Sequence, residues 1–408
     1  MVFIKGLLHI NKNGVFINAS QLLKCKRIEY DMPIKLITMN KLDLQLRRRG
    51  IDLGVVEVAA GQGNAEPVTS LSIDIEFLQT AWQQGNALFL SGLCLSDLES
   101  HEGAIKDAYL LYESILTANE QCDSLLDQEP YASRLLVSFE SLGSSMNEGD
   151  DQEIETVFFD AINQQGDVLA EDLWMKVSWL SFHDEDTSLR FRFSFGVDLH
   201  EDVAADIHRQ HYAALLTEAI FPESTIITKN HTLYDILTKV VGVNDVHFVE
   251  RIIYFNSPNG GAYLHHDRER GHAGVVFAQL SGQTFWLAIS KNQLIQEIDV
   301  FVQSCITTQF WPSSIDKSIQ QELLELSKDH QLCSEQLESF ANNGLIQLIN
   351  ETEMFVQQLI SKGYGHHLCA GDVLLLPQET EANCCWHSVF CIGKTTGQAL
   401  SFAIRSSE

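Results

Sequence analysis

The chain has no apolar run approaching the roughly 20 residues that a membrane-spanning helix needs, so a helix through a bilayer is not expected. Its opening, Met1-Val2-Phe3-Ile4-Lys5, is too short an apolar stretch for a signal peptide. There is no Cys-x-x-Cys pair among the nine cysteines, their number is odd and their spacing irregular. That argues against a disulfide framework or a zinc ribbon and for a reducing, cytoplasmic setting. Basic residues are scarce: 27 Lys and Arg stand against 55 Asp and Glu, a formal charge of −28. A surface so negative repels phosphate backbones and anionic lipid, so broad nucleic-acid binding and membrane association are not expected. The imbalance is uneven. Residues 1–60 hold ten basic and five acidic residues, a balance of +5, which leaves −33 on residues 61–408. Such a surface keeps the protein in solution or receives a basic partner. Familiar catalytic signatures are also missing: no Gly-x-Gly-x-x-Gly, no phosphate loop ending in Gly-Lys-Ser/Thr, no Gly-x-Ser-x-Gly elbow and no His-Glu-x-x-His. Ser257, in Asn256-Ser257-Pro258-Asn259-Gly260-Gly261, lacks the strand-to-helix context of a nucleophile.

What is present is a folded chain of 408 residues with 45% apolar content, enough for two or three domains or one large domain with insertions. Residues 1–66 read as a small, basic, β-rich region. It contains the turn Asn11-Lys12-Asn13-Gly14 and the run Arg47-Arg48-Arg49, which reads as a solvated turn. Gly61 to Pro67 reads as a linker. Residues 67–150 are mainly helical in pattern, from Ile73, Ile75 and Leu78 to Ala108, Leu111 and Leu116. Met146 to Glu155 is polar and acidic and reads as a boundary loop. In residues 151–408, Leu189, Phe191, Phe193 and Phe195 alternate with Arg190, Arg192 and Ser194, the period of a half-buried strand. Leu173–Phe182 pairs with it across a hairpin turn. Residues 202–220 read as helix. Strand patterns follow at 246–255, 274–280, 284–289, 372–376 and 399–404, with a helical, acidic insertion at about 313–363.

The chemistry that remains is histidine near carboxylate. A His-x-Asp/Glu triplet on a strand places two ligands on one face. With one further histidine it makes a facial triad that leaves coordination positions open on iron. The chain has three such triplets, His183-Asp184-Glu185, His200-Glu201-Asp202 and His265-His266-Asp267. That is about what 15 histidines and 55 acidic residues give by chance, so context decides. The first lies in the hairpin turn and the second where a strand meets a helix. The third follows a strand and a Gly-rich turn.

That third context carries a resemblance. Gly261-Ala262-Tyr263-Leu264-His265-His266-Asp267 is followed by Phe277-Ala278-Gln279-Leu280-Ser281-Gly282-x-x-x-Trp286. Then come Gly371-Asp372-Val373-Leu374-Leu375-Leu376-Pro377 and Trp386-His387-Ser388-Val389. Four fragments in this order resemble the JmjC/cupin-like group of Fe(II)- and 2-oxoglutarate-dependent oxygenases, over about residues 250–408. The resemblance implies an α+β protein with a double-stranded β-helix (cupin or jelly-roll) core, carrying helical insertions and an additional N-terminal region. It implies that His265, Asp267 and His387 bind Fe(II), and that 2-oxoglutarate is the cosubstrate of a dioxygenase that hydroxylates a protein side chain or a small molecule.

Three features depart from the family pattern. The strand lysine that would bind the distal carboxylate of 2-oxoglutarate falls at Thr284. Arg405, on the last strand, is the favoured replacement over Lys394, because a guanidinium holds a carboxylate with two parallel hydrogen bonds; Thr284 could add a hydroxyl contact. The loop from Pro377 to His387 is a few residues long for the family. The gap between Asp267 and His387 holds the insertion, which would shape a substrate pocket or a homodimer contact. His366 and His367 lie upstream of Gly371-Asp372, on the wrong side for the distal ligand. Arg268 and Arg270 read as an exposed loop. Cys384, Cys385 and Cys391 read as buried thiols rather than a thiolate site. The substrate fits a basic protein or peptide, or a small molecule. Two other readings remain: a cupin-like binding or scaffold protein that has lost cosubstrate binding, and a metal-dependent cupin enzyme that does not use 2-oxoglutarate.

Overall fold

A computed structural model describes residues 10–11, 14–18, 41–59, 75–117, 121–146, 153–196, 205–269, 271–339, 343–382 and 384–406. The triplet at 200–202, the linker at 61–67, Arg270 and part of the turn at 11–14 lie outside the described residues.

The chain begins with β1 (Ile10–Asn11) and β2 (Gly14–Asn18), then the hairpin of β3 (Lys41–Arg48) and β4 (Ile51–Ala59). Next come α1 (Ile75–Gln83), β5 (Leu88–Ser91), α2 (Leu95–Thr117), α3 (Cys122–Leu126) and α4 (Tyr131–Leu135). An antiparallel meander follows: β6 (Phe139–Ser145), β7 (Glu153–Ile162), β8 (Val168–Trp179) and β9 (Leu189–Phe195). Helices α5 (Ile207–Ile220), α6 (Thr225–Thr228) and α7 (His231–Val241) lead to β10 (Val246–Asn256), β11 (Gly261–His265), β12 (Gly274–Gln279) and β13 (Gln283–Ser290). The insertion is α8 (Lys291–Thr308), α9 (Lys317–Leu326), α10 (His330–Ser339), α11 (Asn343–Glu351) and α12 (Glu353–Ser361). The chain ends with β14 (Gly365–Cys369), β15 (Val373–Pro377), β16 (Cys385–Ile392) and β17 (Gly397–Ser406).

Two sheets matter for the site. The larger has eleven strands in the order β1-β2-β5-β15-β12-β17-β10-β9-β8-β7-β6, antiparallel except for β2 beside β5. The smaller has four, β11-β16-β13-β14. The larger sheet takes strands from the N-terminal, the central and the C-terminal regions of the chain. The expected strands at 189–195, 246–255, 274–280, 284–289, 372–376 and 399–404 all form. Others went unread, among them β6 at the end of the stretch read as helical and β14 after the insertion. Leu88–Ser91, inside the stretch with a helical pattern, is strand β5 and wholly buried. A four-residue apolar run carries no period that separates strand from helix. The expected boundary loop gives way to β7 at Glu153.

Three apolar layers follow from strand alternation. Leu189, Phe191, Phe193 and Phe195 of β9 turn to one side of the large sheet with Ile253, Phe255, Leu400 and Phe402, and helices α1, α2, α5 and α7 cover them. Phe277, Leu374, Leu376, Trp286, Leu368 and Val389 fill the space between the two sheets. Phe285, Leu287 and Phe390 face the other side of the small sheet, beneath the insertion helices and the β3–β4 hairpin. The helices begin and stop where local chemistry dictates. The Ser290 side chain caps α8 by accepting from the Gln293 amide, and Asn230 caps α7 by accepting from Leu233. Gly242 ends α7 at φ 82°, a left-handed conformation that glycine adopts without a Cβ clash. Among the described residues no helix is long and apolar enough to cross a membrane.

Candidate metal centre

β11 and β16 pair antiparallel, and their register sets His265 directly across from His387. Asp267 lies two residues beyond the end of β11. The sequence places these residues 122 positions apart at the extremes; the strand pairing brings their side chains together. Asp267 Oδ1 lies 3.3 Å from His265 Nε2, and Asp267 Oδ2 lies 3.3 Å from His387 Nε2. The ring centroids are 4.3 Å apart, and one donor atom from each residue falls within 4.8 Å of the others. His387 is the enclosed member, 3% exposed at its side chain, while Asp267 at 40% opens to solvent.

The other nitrogen of each ring is already taken. His265 Nδ1 lies 2.6 Å from the Tyr263 carbonyl and His387 Nδ1 lies 3.4 Å from the Cys385 carbonyl. A backbone carbonyl accepts, so each Nδ1 carries a proton, and each Nε2 faces the Asp267 carboxylate, which it hydrogen-bonds here and from which it would turn a lone pair to a metal on losing its proton. That is the outer support a ligating imidazole requires. Trp286 stacks on His387 at 5.3 Å and 27°, closing one side of the ring.

Electrostatics suit a cation. Burial opposes ionisation of Asp267, but the His387 charge and hydrogen bonds from both histidines hold its carboxyl well below the usual range. Burial, then the His265 charge, push His387 below its ordinary value. His265 is also penalised by burial, yet its hydrogen bond to Asp267 raises it. A charged acceptor between two imidazoles, with one imidazole neutral, is a donor set that a divalent ion completes.

The remaining expected residues sit as follows. Thr284 points into the space between the sheets, but its hydroxyl accepts from Trp286 Nε1 at 2.9 Å and donates to Gln279 Oε1 at 2.8 Å. Arg405 pairs with His247 across β10 and β17. Its guanidinium packs on the loop after Asp267, where a Cβ on Gly271 would meet Nη2 at 2.9 Å. There it adds to the burial that depresses His272. His366 lies opposite Trp286 in the β13–β14 ladder, and burial pushes its pKa down to about 4. His183 stands in the turn before β9, where Glu185 pairs with Arg47. Among the described residues a second group of three donors also gathers, Glu250, Glu269 and His272. There Arg192 lies 3.7 Å from Glu250, so part of its charge is already balanced.

Two supports were not legible. Glu338 of α10 reaches the segment of the candidate ligands from the insertion: its Oε2 lies 3.0 Å from His266 Nε2, and its Oε1 lies 2.8 Å from Lys291 Nζ. Lys291, 2% exposed, also pairs with Glu381 in the lead-in to β16. The second concerns Arg47-Arg48-Arg49, which is not a solvated turn. Arg47 binds Glu185, Arg49 binds Asp186, and Arg48 is 1% exposed. The signal was period two: Leu42, Leu44, Leu46 and Arg48 alternate along β3, and the last three are buried.

No family model matches the chain, and no curated protein matches it. Solved structures do. One is an oxidoreductase of the 2OG-Fe(II) oxygenase family from Burkholderia pseudomallei, at 7% identity over 83% of this chain and 93% of that one, TM-score 0.30. Another is YcfD, a ribosomal oxygenase from Escherichia coli in complex with cobalt and succinic acid, at 11% identity over 59% and 42%, TM-score 0.25. A further YcfD structure matches at 13% identity over 71% and 46%, TM-score 0.25. The chain thus spans less than half the length of these YcfD chains. Likeness at such scores decides nothing by itself, and the weight falls on the three side chains.

Proposed function

We propose that the protein is an Fe(II)- and 2-oxoglutarate-dependent dioxygenase that hydroxylates a protein side chain or a small molecule. The observation that carries this reading is the convergence of His265 Nε2, His387 Nε2 and the Asp267 carboxylate, each within 4.8 Å of the others. Two imidazoles and one carboxylate on one face are the donor set of non-haem iron oxygenases. The strand orders β10-β17-β12-β15 and β11-β16-β13-β14 support a double-stranded β-helix as the frame.

Iron with 2-oxoglutarate would supply the activation of dioxygen that turns a C–H bond into C–OH while the ketoacid leaves as succinate and carbon dioxide. The chain supplies the rest. Asp267 contributes the negative charge and stays ionised. His265 and His387 present Nε2 because Tyr263 and Cys385 hold their Nδ1 protons. Trp286, Phe277 and Val389 form an apolar layer beside His387 that would exclude water from that side. Arg405 is the residue we assign to the distal carboxylate of 2-oxoglutarate, as a planar two-point donor. The net charge of −28 suits a basic peptide or protein as substrate.

The test is anaerobic addition of Fe(II) and 2-oxoglutarate. A weak visible charge-transfer band is expected with the wild-type protein and not with His265→Ala or Asp267→Ala. One observation favours a second reading. The Thr284 hydroxyl is engaged on both sides, so the position of the strand lysine offers the cosubstrate little. A metal-dependent cupin enzyme working without 2-oxoglutarate would take up oxygen equally with and without the ketoacid. A non-catalytic binding or scaffold protein would take up none.

A further inference from the structure

β11 is an end strand of the small sheet, and it is irregular at the site. Its ladder with β16 runs through Gly261 and Ala262, then shifts register and resumes only at His265. Tyr263 and Leu264 fall in this bulge and have no place in the ladder register. A bulge disrupts the ladder locally and re-aims the strand, and backbone groups buried in it need other partners.

The structure supplies one for each of three groups. The Tyr263 carbonyl accepts from the His265 ring at 2.6 Å. The Leu264 amide donates to Asn350 Oδ1 at 2.7 Å. The Ala262 carbonyl accepts from Arg48 Nη1 at 2.5 Å. Arg48 and Asn350 are themselves joined: Arg48 Nη2 lies 3.2 Å from the Asn350 carbonyl and 3.4 Å from its Oδ1.

Arg48 is an expensive residue to place there. It is 1% exposed, and among the described residues no carboxylate forms an ion pair with it. Burial pulls its pKa down to about 9. Its guanidinium is sandwiched between the Tyr263 ring, 4.6 Å away, and the Phe390 ring, 4.4 Å away. Stacking of this kind returns part of the lost hydration. So one buried cation from the β3–β4 hairpin grips the bulge whose next carbonyl, that of Tyr263, orients His265.

We propose that Arg48, working with Asn350, is a positioning residue of the metal centre, holding the β11 bulge so that the Tyr263 carbonyl fixes the His265 ring. This makes the N-terminal hairpin a working part of a site whose ligands all lie beyond residue 260. The inference rests on the reading that His265, Asp267 and His387 bind a metal.

The test is titration of the full-length protein with Co(II) under anaerobic conditions, reading affinity and the visible d–d spectrum, with near-ultraviolet circular dichroism to confirm folding. Arg48→Met and Asn350→Leu should each weaken Co(II) binding by about 10- to 100-fold, the range for lost outer support of a metal ligand, and should change the spectrum. Asn350→Asp keeps an acceptor for the Leu264 amide and should rescue most of the affinity lost in Asn350→Leu. Arg47→Ala, on the same hairpin as Arg48, should leave binding unchanged. If Arg48→Met does not fold, the contrast between Asn350→Leu and Asn350→Asp decides. Wild-type affinity and spectrum in folded Arg48→Met or Asn350→Leu would overturn the proposal. Failure of the wild-type protein to bind Co(II) would instead remove the metal reading beneath it.

Discussion

The two sheets that face each other across the core are backed in different ways. Behind the large sheet lie Phe191, Phe193, Phe221, Phe255 and Leu216, an apolar layer with edge-on rings such as Phe191 on Phe221 at 5.1 Å. Buried polar groups lie behind both sheets, Glu223 and Gln398 behind the large one and Arg48, Asn350, Lys291 and their partners behind the small one, but only the second set reaches the strand that carries His265. All three candidate ligands belong to the small-sheet side, on β11, β16 and the loop leaving β11. Apolar burial is non-directional and scales with area. Hydrogen bonds and ion pairs are directional and therefore set the orientation of a ring. The comparison teaches that apolar packing backs both sheets, while the directional contacts that aim a ligand ring are gathered on one.

The comparison breaks most completely at the ligands. Asp267→Ala should abolish Fe(II) or Co(II) binding, at least a ~100-fold loss in a titration, while thermal unfolding changes little. The carboxylate is partly exposed and contributes to the site rather than to packing. The opposite pattern is expected behind the large sheet. Phe191→Ala empties a fully buried position and should cost about 3–5 kcal/mol in chemical denaturation. The folded fraction should bind metal as wild type does.

A titrating group sharpens the same contrast. Glu223 lies fully buried beside Gln398, whose side-chain amide donates to it, and burial raises its pKa from 4.5 to about 7. A raised folded-state value means that the folded protein holds the proton more tightly. The stabilisation is complete below about pH 4.5 and is lost as pH rises through 7. Between those limits the native state should lose about 3 kcal/mol, because each pH step of one between the unfolded and folded values is worth about 1.4 kcal/mol. Glu223→Gln should flatten this slope in denaturation curves measured from about pH 5 to 8. An unchanged slope would show that another group is responsible. The smallest effect is expected at Arg47→Ala. The Arg47–Glu185 pair is about two-fifths exposed on both sides, and its loss should change stability by less than about 1 kcal/mol.

How far the sequence reaches differs along the same lines. The β9 pattern of Leu189, Phe191, Phe193 and Phe195 was legible because alternation is a local property. The candidate ligands were legible because four fragments kept a family order, although His265 and His387 meet only through strand pairing. Arg48 escapes a sequence reading because a triple-arginine run looks like solvated charge. Its place on the buried face of β3 shows only when the three preceding leucines at period two are read with it. Glu338 and Asn350 carried no signal at all. Each is an ordinary polar residue on an insertion helix, and its role arises from contacts with residues 72 and 86 positions away.

The most direct test of the central claim is anomalous diffraction at the iron edge from crystals grown anaerobically with Fe(II). The account predicts one strong peak at bonding distance, roughly 2.0–2.2 Å by analogy with other divalent-metal sites, from His265 Nε2, His387 Nε2 and an Asp267 oxygen. A peak at Glu250, Glu269 and His272 instead, or none near His387, would contradict it.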